Sequence, residues 1–237
     1  MPMQHKNKLP SLPFFSFVIL GMMIFSIPAY SVEKSLDKES FWEQTDLYLE
    51  LTPSFLFNTY SKKISAPSPA FFPLTVGIAY PNDSFFSVEP SLSFFWTYYL
   101  VYDGLVLPAE IENRTATALS FLINIPAVFS FSLTAESRMN LGVGTAFLLR
   151  FPFLASGVNS GDYGWYGSTE DDVSYMFTSF YESGRFFYLS LKASWIFYHM
   201  EKIGFGPVFS MNFPIITAFK DKNVSGMILE AGLQVVF

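Results

Sequence analysis

The C-terminal stretch MILEAGLQVVF alternates between two kinds of side chain. Met227, Leu229, Ala231, Leu233, Val235 and Phe237 fall on one side, and Ile228, Glu230, Gly232, Gln234 and Val236 on the other. A period of two is that of a β-strand, whose successive side chains point to opposite faces. One face is apolar up to the final residue, so it needs an apolar surround.

The pattern recurs upstream. TDLYLELTPSFLFN sets Leu47, Leu49, Leu51, Phe55 and Phe57 against Tyr48, Glu50, Thr52, Ser54 and Asn58. AFFPLTVGIAY sets Phe72, Leu74, Val76, Ile78 and Tyr80 against Thr75, Gly77 and Ala79. SFFSVEPSLSFFWTYYL sets Phe86, Val88, Leu92, Phe94, Trp96 and Tyr98 against Ser87, Glu89, Ser91, Ser93, Thr97 and Tyr99. Thr115 to Ala135 carries no charge, which a hydropathy window reads as a membrane helix. Its odd positions are apolar, most even ones are small or polar, and Pro126 disfavours a helix, so we assign a strand. NLGVGTAFLLRFPF, RFFYLSLKASWIFY and IGFGPVFSMNF alternate in the same way.

These are eight amphipathic strands in which the apolar face is the continuous one. The intervals 59–69, 102–113, 155–184 and 214–225 are long, and 82–84, 134–139 and 199–202 are short. Long and short connections therefore alternate. An even number of antiparallel strands with short periplasmic turns and long outer loops predicts an all-β, up-and-down transmembrane barrel of eight strands, with ten as the alternative. The C-terminal strand then closes the ring against the first, removing the edges that lipid penalises. Pro53, Pro90, Pro126 and Pro207 lie inside the assigned strands and predict bulges or shifted boundaries.

Composition supports a membrane solvent. Charged residues are 14% and aromatic residues 19% of the 237, with 29 Phe; a soluble domain carries about 25% charged residues. Two aromatic girdles are expected on the outward face. Tyr80, Phe86, Phe129, Phe131, Trp195, Phe197, Phe205 and Phe237 form the periplasmic one. Phe55, Phe57, Phe72, Trp96, Tyr98, Phe151, Phe153, Phe187 and Phe213 form the outer one.

Lys6 and Lys8 precede an uncharged run from Leu9 to Tyr30, followed by Ala29-Tyr30-Ser31. This reads as a secretory signal peptide, 1–31, cleaved after Ser31. Residues 32–44 are a polar periplasmic segment and 45–237 the barrel. There is no cysteine, hence no lipoprotein attachment site. The formal charge of −6 becomes more acidic once Lys6 and Lys8 are removed, which argues against a nucleic-acid partner.

With its terminal Phe and alternate apolar residues, the chain resembles the small eight-stranded outer-membrane barrels of the OmpW, OmpX and OmpA membrane-domain kind. The resemblance covers 45–237 as a pattern. It implies the cell outer membrane, outer-membrane lipid and the barrel-assembly machinery as partners, and an assembly signal in Leu233, Val235 and Phe237. Likeness to the OmpW kind implies a narrow channel or carrier for small, hydrophobic solutes. The alternative is a non-conducting adhesin or structural barrel that meets a host ligand through its outer loops. Small barrel size and acidic charge are compatible with a monomer.

Five charges fall on the inward faces: Glu50, Glu89, Arg150, Lys192 and Glu230. Glu50, Glu89, Lys192 and Glu230 come at similar heights and Arg150 higher. An eight-stranded barrel is just wide enough for side chains to fill, so these charges are expected to pair. Inward Gly77, Gly142, Gly144, Gly204, Gly206 and Gly232 leave room for tyrosines or for solute. In the long loop 155–184, Asp162, Tyr163, Trp165, Tyr166, Glu170, Asp171 and Asp172 are the candidate contact residues. Its second half, Glu170 to Glu182, predicts an amphipathic helix with Val173, Met176, Phe177 and Phe180 on one face, lying over the barrel mouth or on the membrane. Lys62, Lys63, Lys220 and Lys222 mark the other outer loops. His199 falls in a short turn with no Ser, Asp or Asn set around it, and no His/Cys/Asp/Glu group has metal-ligand spacing. No enzyme, metal or cofactor is expected.

Overall fold

The computed structural model describes residues 41–60, 67–82, 84–200 and 203–237. The signal peptide, most of the 32–44 segment, Lys62 and Lys63 lie outside the described residues, as does the side chain of His199.

In chain order the strands are β1 (Asp46–Leu51), β2 (Ser54–Leu56), β3 (Ala70–Phe71), β4 (Leu74–Ala79), β5 (Phe86–Val88), β6 (Ser91–Tyr102), β7 (Leu105–Pro108), β8 (Ala116–Thr134), β9 (Ser137–Leu154), β10 (Tyr163–Gly164), β11 (Gly167–Ser168), β12 (Phe187–Met200), β13 (Ile203–Phe213) and β14 (Ile228–Val236). Two helices join them, α1 (Thr169–Tyr181) and α2 (Ile215–Lys220). The wall runs β1-β4-β6-β8-β9-β12-β13-β14 and returns from β14 to β1, all antiparallel. This is a closed barrel of eight staves. It closes with Tyr48 opposite Val236 and Leu51 opposite Leu233. Phe237 N–H donates to the Leu47 carbonyl at 2.8 Å, so even the terminal backbone is paired.

The alternation decides which way each side chain points. Along β1, Leu47, Leu49 and Leu51 are exposed, while Tyr48 and Glu50 are buried. The named girdle residues Phe72, Trp96, Phe151 and Phe153 at one end, and Tyr80, Phe129, Trp195 and Phe237 at the other, face outward. A closed strand ring with its apolar side outside and its polar side inside is the inverse of a soluble barrel. It is the arrangement lipid requires, because strands paired around a closed ring leave no free edge. No helix among the described residues is long and apolar enough to cross a membrane; the crossing is made by strands.

The prolines separate into two cases. Pro53 falls in the break between β1 and β2, and Pro90 in the break between β5 and β6, as shifted boundaries predict. Pro126 and Pro207 instead lie inside continuous strands. Pro126 has no N–H to give the Glu89 carbonyl, although its own carbonyl accepts from Glu89 N–H at 3.0 Å. The Tyr48 hydroxyl donates to that carbonyl across the lumen instead, at 3.2 Å. On the other side Pro126 faces Gly144, where a Cβ would strike the backbone of Ile125 and Pro126. Glycine is what lets the two strands approach there.

Both strand ends near the termini, and the two-residue turn Ala135–Glu136, lie at one end of the barrel. The long connections lie at the other end. The interval 102–113 is more ordered than a plain loop: β6 turns at Asp103 and Gly104, both at positive φ, and β7 pairs back on it. Two central residues with positive φ make a tight hairpin whose twist suits the strands.

Candidate functional site

The lumen is filled at two levels. In the mid-barrel, Lys192 of β12 reaches Glu50 Oε1 at 2.9 Å and Glu89 Oε2 at 3.0 Å. The Glu89 contact has hydrogen-bond geometry, while the Glu50 contact is one of charge. The ammonium also sits 4.1 Å from the centre of the Tyr48 ring. Three staves distant in sequence are thereby tied across the lumen. Glu230 of β14 takes hydrogen bonds from Asn212 Nδ2 at 3.1 Å and Ser54 Oγ at 3.4 Å. The inward glycines are used by neighbours here. The Tyr48 ring occupies the space that a Cβ on Gly77 would need, and Tyr198 that of Gly204. Towards the end that carries the Ala135–Glu136 turn lies a small polar void of about 20 Å³, among residues such as Ser87, Asn140 and Gln234.

Above the ion set the lumen turns apolar. Leu56, Phe95, Leu122, Leu148, Tyr188 and Ile228 point inward and form one buried cluster with Met176 and Phe180 of α1. The second half of loop 155–184 is thus a helix, as its periodicity predicts, and it is seated in the barrel mouth. Met176 and Phe180 are buried and Val173 packs beside them, but Phe177 is 49% exposed and faces away. Ser168 caps the helix: its Oγ accepts from Asp171 N–H at 3.1 Å, and Ser168 N–H donates to Asp171 Oδ2 at 3.2 Å. This reciprocal pair satisfies two otherwise orphan donors at the helix start.

The far end of α1 is tied to the wall. Beyond Leu148, β9 has no further partner on the β12 side, since β12 begins at Phe187. The Tyr181 hydroxyl fills the vacancy, accepting from Arg150 N–H and donating to the Arg150 carbonyl, each at 3.0 Å. On the opposite side, Tyr175 donates to the Gly104 carbonyl at 2.7 Å. Its hydrogen bonding with Tyr166, then its burial, push its phenol up to about 12, so this tether stays protonated through the neutral range.

Between α1 and the staves lies a chamber of about 160 Å³, lined by Tyr99, Leu107, Arg150, Phe180 and Tyr188 among others. Arg150 is 8% exposed. Its guanidinium lies 4.0 Å from the Phe180 ring centre, and its Nε has no hydrogen-bond partner.

The inward charges expected to pair therefore divide. Glu50, Glu89 and Lys192 come together, Glu230 joins through amide and hydroxyl groups, and Arg150 stands apart beneath α1. The loop candidates divide too. Asp171 serves the helix cap, and buried Asp172 takes the N–H groups of Trp165 and Tyr166, both at 2.9 Å. Asp162 accepts from Asn159 N–H at 3.0 Å. Tyr163 is 94% exposed, and Trp165, Tyr166 and Glu170 are exposed beside it. Leu233 and Phe237 of the expected assembly signal face outward. The sequence reading did not single out Tyr181, whose hydroxyl completes the β9 edge, or Tyr48, whose hydroxyl replaces the proline donor. Neither role leaves a local signal.

The fold and its filled lumen define a class: a small, eight-stranded, membrane-spanning β-barrel with a helix in its outer mouth. No protein-family model matches the chain, and no curated protein matches it. Solved structures of small bacterial outer-membrane barrels are similar in fold. Neisserial surface protein A aligns at 10% identity with a TM-score of 0.47, over 82% of this chain and 97% of that one. The attachment invasion locus protein Ail of Yersinia pestis aligns at 7% identity and 0.44, over 81% and 97%. The N-terminal barrel domain of Pseudomonas aeruginosa OprF aligns at 8% identity and 0.37, over 81% and 97%.

Proposed function

We propose that this chain is a closed outer-membrane barrel, exported through its N-terminal signal peptide, that acts through its outward-facing cap and not as an open pore. One observation carries the reading. The lumen is crossed by the Lys192–Glu50–Glu89 set and again by the apolar cluster that holds α1. A hydrated solute would have to displace both. Breaking a buried ion pair costs about 3–5 kcal/mol, and withdrawing Met176 and Phe180 exposes a core besides. The working surface is then the exposed aromatic and acidic tip around Tyr163, Trp165, Tyr166 and Glu170, braced on the wall where the Trp165 ring lies 5.4 Å from that of Tyr102.

Conductance of the refolded mature chain in a planar bilayer tests this, once a heat-modifiable gel shift verifies folding. Folded barrel without discrete current steps is the expected result. Steps that change on Lys192→Ala would route a water path through the ion set and favour the narrow channel instead. Cutting out 155–184 is a poor test of the surface, because it also removes Met176 and Phe180 from the core. Tyr163→Ala and Trp165→Ala leave the plug in place and probe the tip alone.

A further inference from the structure

We propose that the outer chamber is a binding site for a small organic carboxylate, with Arg150 as its anchor. The starting point is a buried cation that lacks an acid. Among the described residues no carboxylate pairs with Arg150, whereas Lys192, opposite Gly142 much further down β9, holds two. Arg150 is 8% exposed, its Nε has no partner, and it lines a chamber of about 160 Å³. Taking a charge out of water is costly unless it is paired. The Phe180 face at 4.0 Å offsets part of that cost. The phenols of Tyr99, Tyr181 and Tyr188 lie around the charge, and Tyr99 hydrogen-bonds with it, but none of them is a carboxylate.

The shape of the chamber says what kind of anion completes it. A guanidinium offers a planar fork of donors that matches a carboxylate with two parallel hydrogen bonds. Around the fork the walls mix rings and aliphatic chains, Tyr99, Leu107, Phe180 and Tyr188, with polar groups such as Ser179 and Thr217. The ligand is therefore a compact monoanion that lays one face against these rings, not a polyphosphate. At the rim Glu182 and Asp221 are exposed, and Arg185 lies 3.8 Å from Asp221. That rim gives no net attraction for a multiply charged anion. The lining includes Ser179 of α1, Thr217 of α2 and the exposed Glu182 and Asp221, so the chamber meets solvent on the side of the helices. The site lies above the ion set, so it needs no path through the barrel and stands whether or not the barrel conducts.

Isothermal titration on the full mature chain, refolded in a zwitterionic detergent, tests the proposal with benzoate as probe and benzamide as its neutral isostere. Saturable benzoate binding is expected, with benzamide weaker by about tenfold or more, the worth of one charged hydrogen-bonded contact. Arg150→Gln should abolish the preference. Because that variant also alters the floor beneath α1, Ser179→Leu serves as an independent one: it fills the chamber from the helix and keeps Arg150, losing only the 3.0 Å bond from Arg185, and should weaken benzoate while the gel shift persists. Equal binding of benzoate and benzamide, unchanged binding in Arg150→Gln, or no saturable benzoate binding to the wild-type chain would each overturn the assignment.

Discussion

At the scale of single residues, burial of polar atoms decides most of the lumen. Lys192 is the hinge of three charges, and removing it leaves two buried carboxylates facing each other. Lys192→Met is expected to destabilise the folded barrel by about 3–5 kcal/mol, read from the denaturant midpoint of the gel-shift transition. Adding Glu50→Gln and Glu89→Gln should restore part of the loss, because the uncompensated charge goes with them. Tyr48→Phe removes the hydroxyl that meets the Glu89 carbonyl opposite Pro126, and a buried acceptor left unpaired costs about 1–3 kcal/mol. Gly144→Ala should be markedly destabilising, since its Cβ meets the backbone of Ile125 and Pro126, whereas Gly161→Ala, with open space around it, should be neutral. Equal midpoints for the two glycine variants would refute this account of the proline rung.

At the scale of elements, the alternation that builds each stave has a period of two and was legible directly. So was α1, because its period changes to that of a helix inside a loop. Where the helix differs from its periodicity, a tertiary partner is responsible. Phe177 belongs to the same apolar arc as Met176 and Phe180, but the mouth is narrow and seats only the latter two. The β6–β7 hairpin carried an Asp-Gly signal at Asp103 and Gly104 that the division of the chain into strands and long loops passed over. The helix itself is held by its cap, its buried face and two tyrosines. Ser168→Ala should cost about 1 kcal/mol of local stability. Faster amide exchange in 169–181, with exchange in β8 and β9 unchanged, is the expected signature. Tyr181→Phe should likewise loosen the end of α1 without unfolding the wall.

At the scale of the whole molecule, the solvent is the controlling fact. The outward belt is apolar, so a charge placed at its middle must be drawn into hydrocarbon. Val143 faces outward in β9, near mid-strand. Val143→Arg is expected to destabilise the barrel by about 2–4 kcal/mol, and the same change at an end of the strand by about 0–1. A uniform cost along β9, measured by unfolding in lipid vesicles, would place the membrane elsewhere. The C-terminal strand matters at this scale too, because its pairing with β1 removes both free edges at once.

The sequence by itself determined the wall: strand number, facing, antiparallel order and the closing role of β14. Each follows from a period of two, from connection lengths, and from the rule that no backbone group goes unpaired in lipid. Tertiary structure alone decided what fills the wall. Which inward charges pair depends on the shear between staves far apart in sequence, and a shift of two rungs changes every partner. That offset brings Lys192 to Glu50 and Glu89, and leaves Arg150 beneath α1 without an acid.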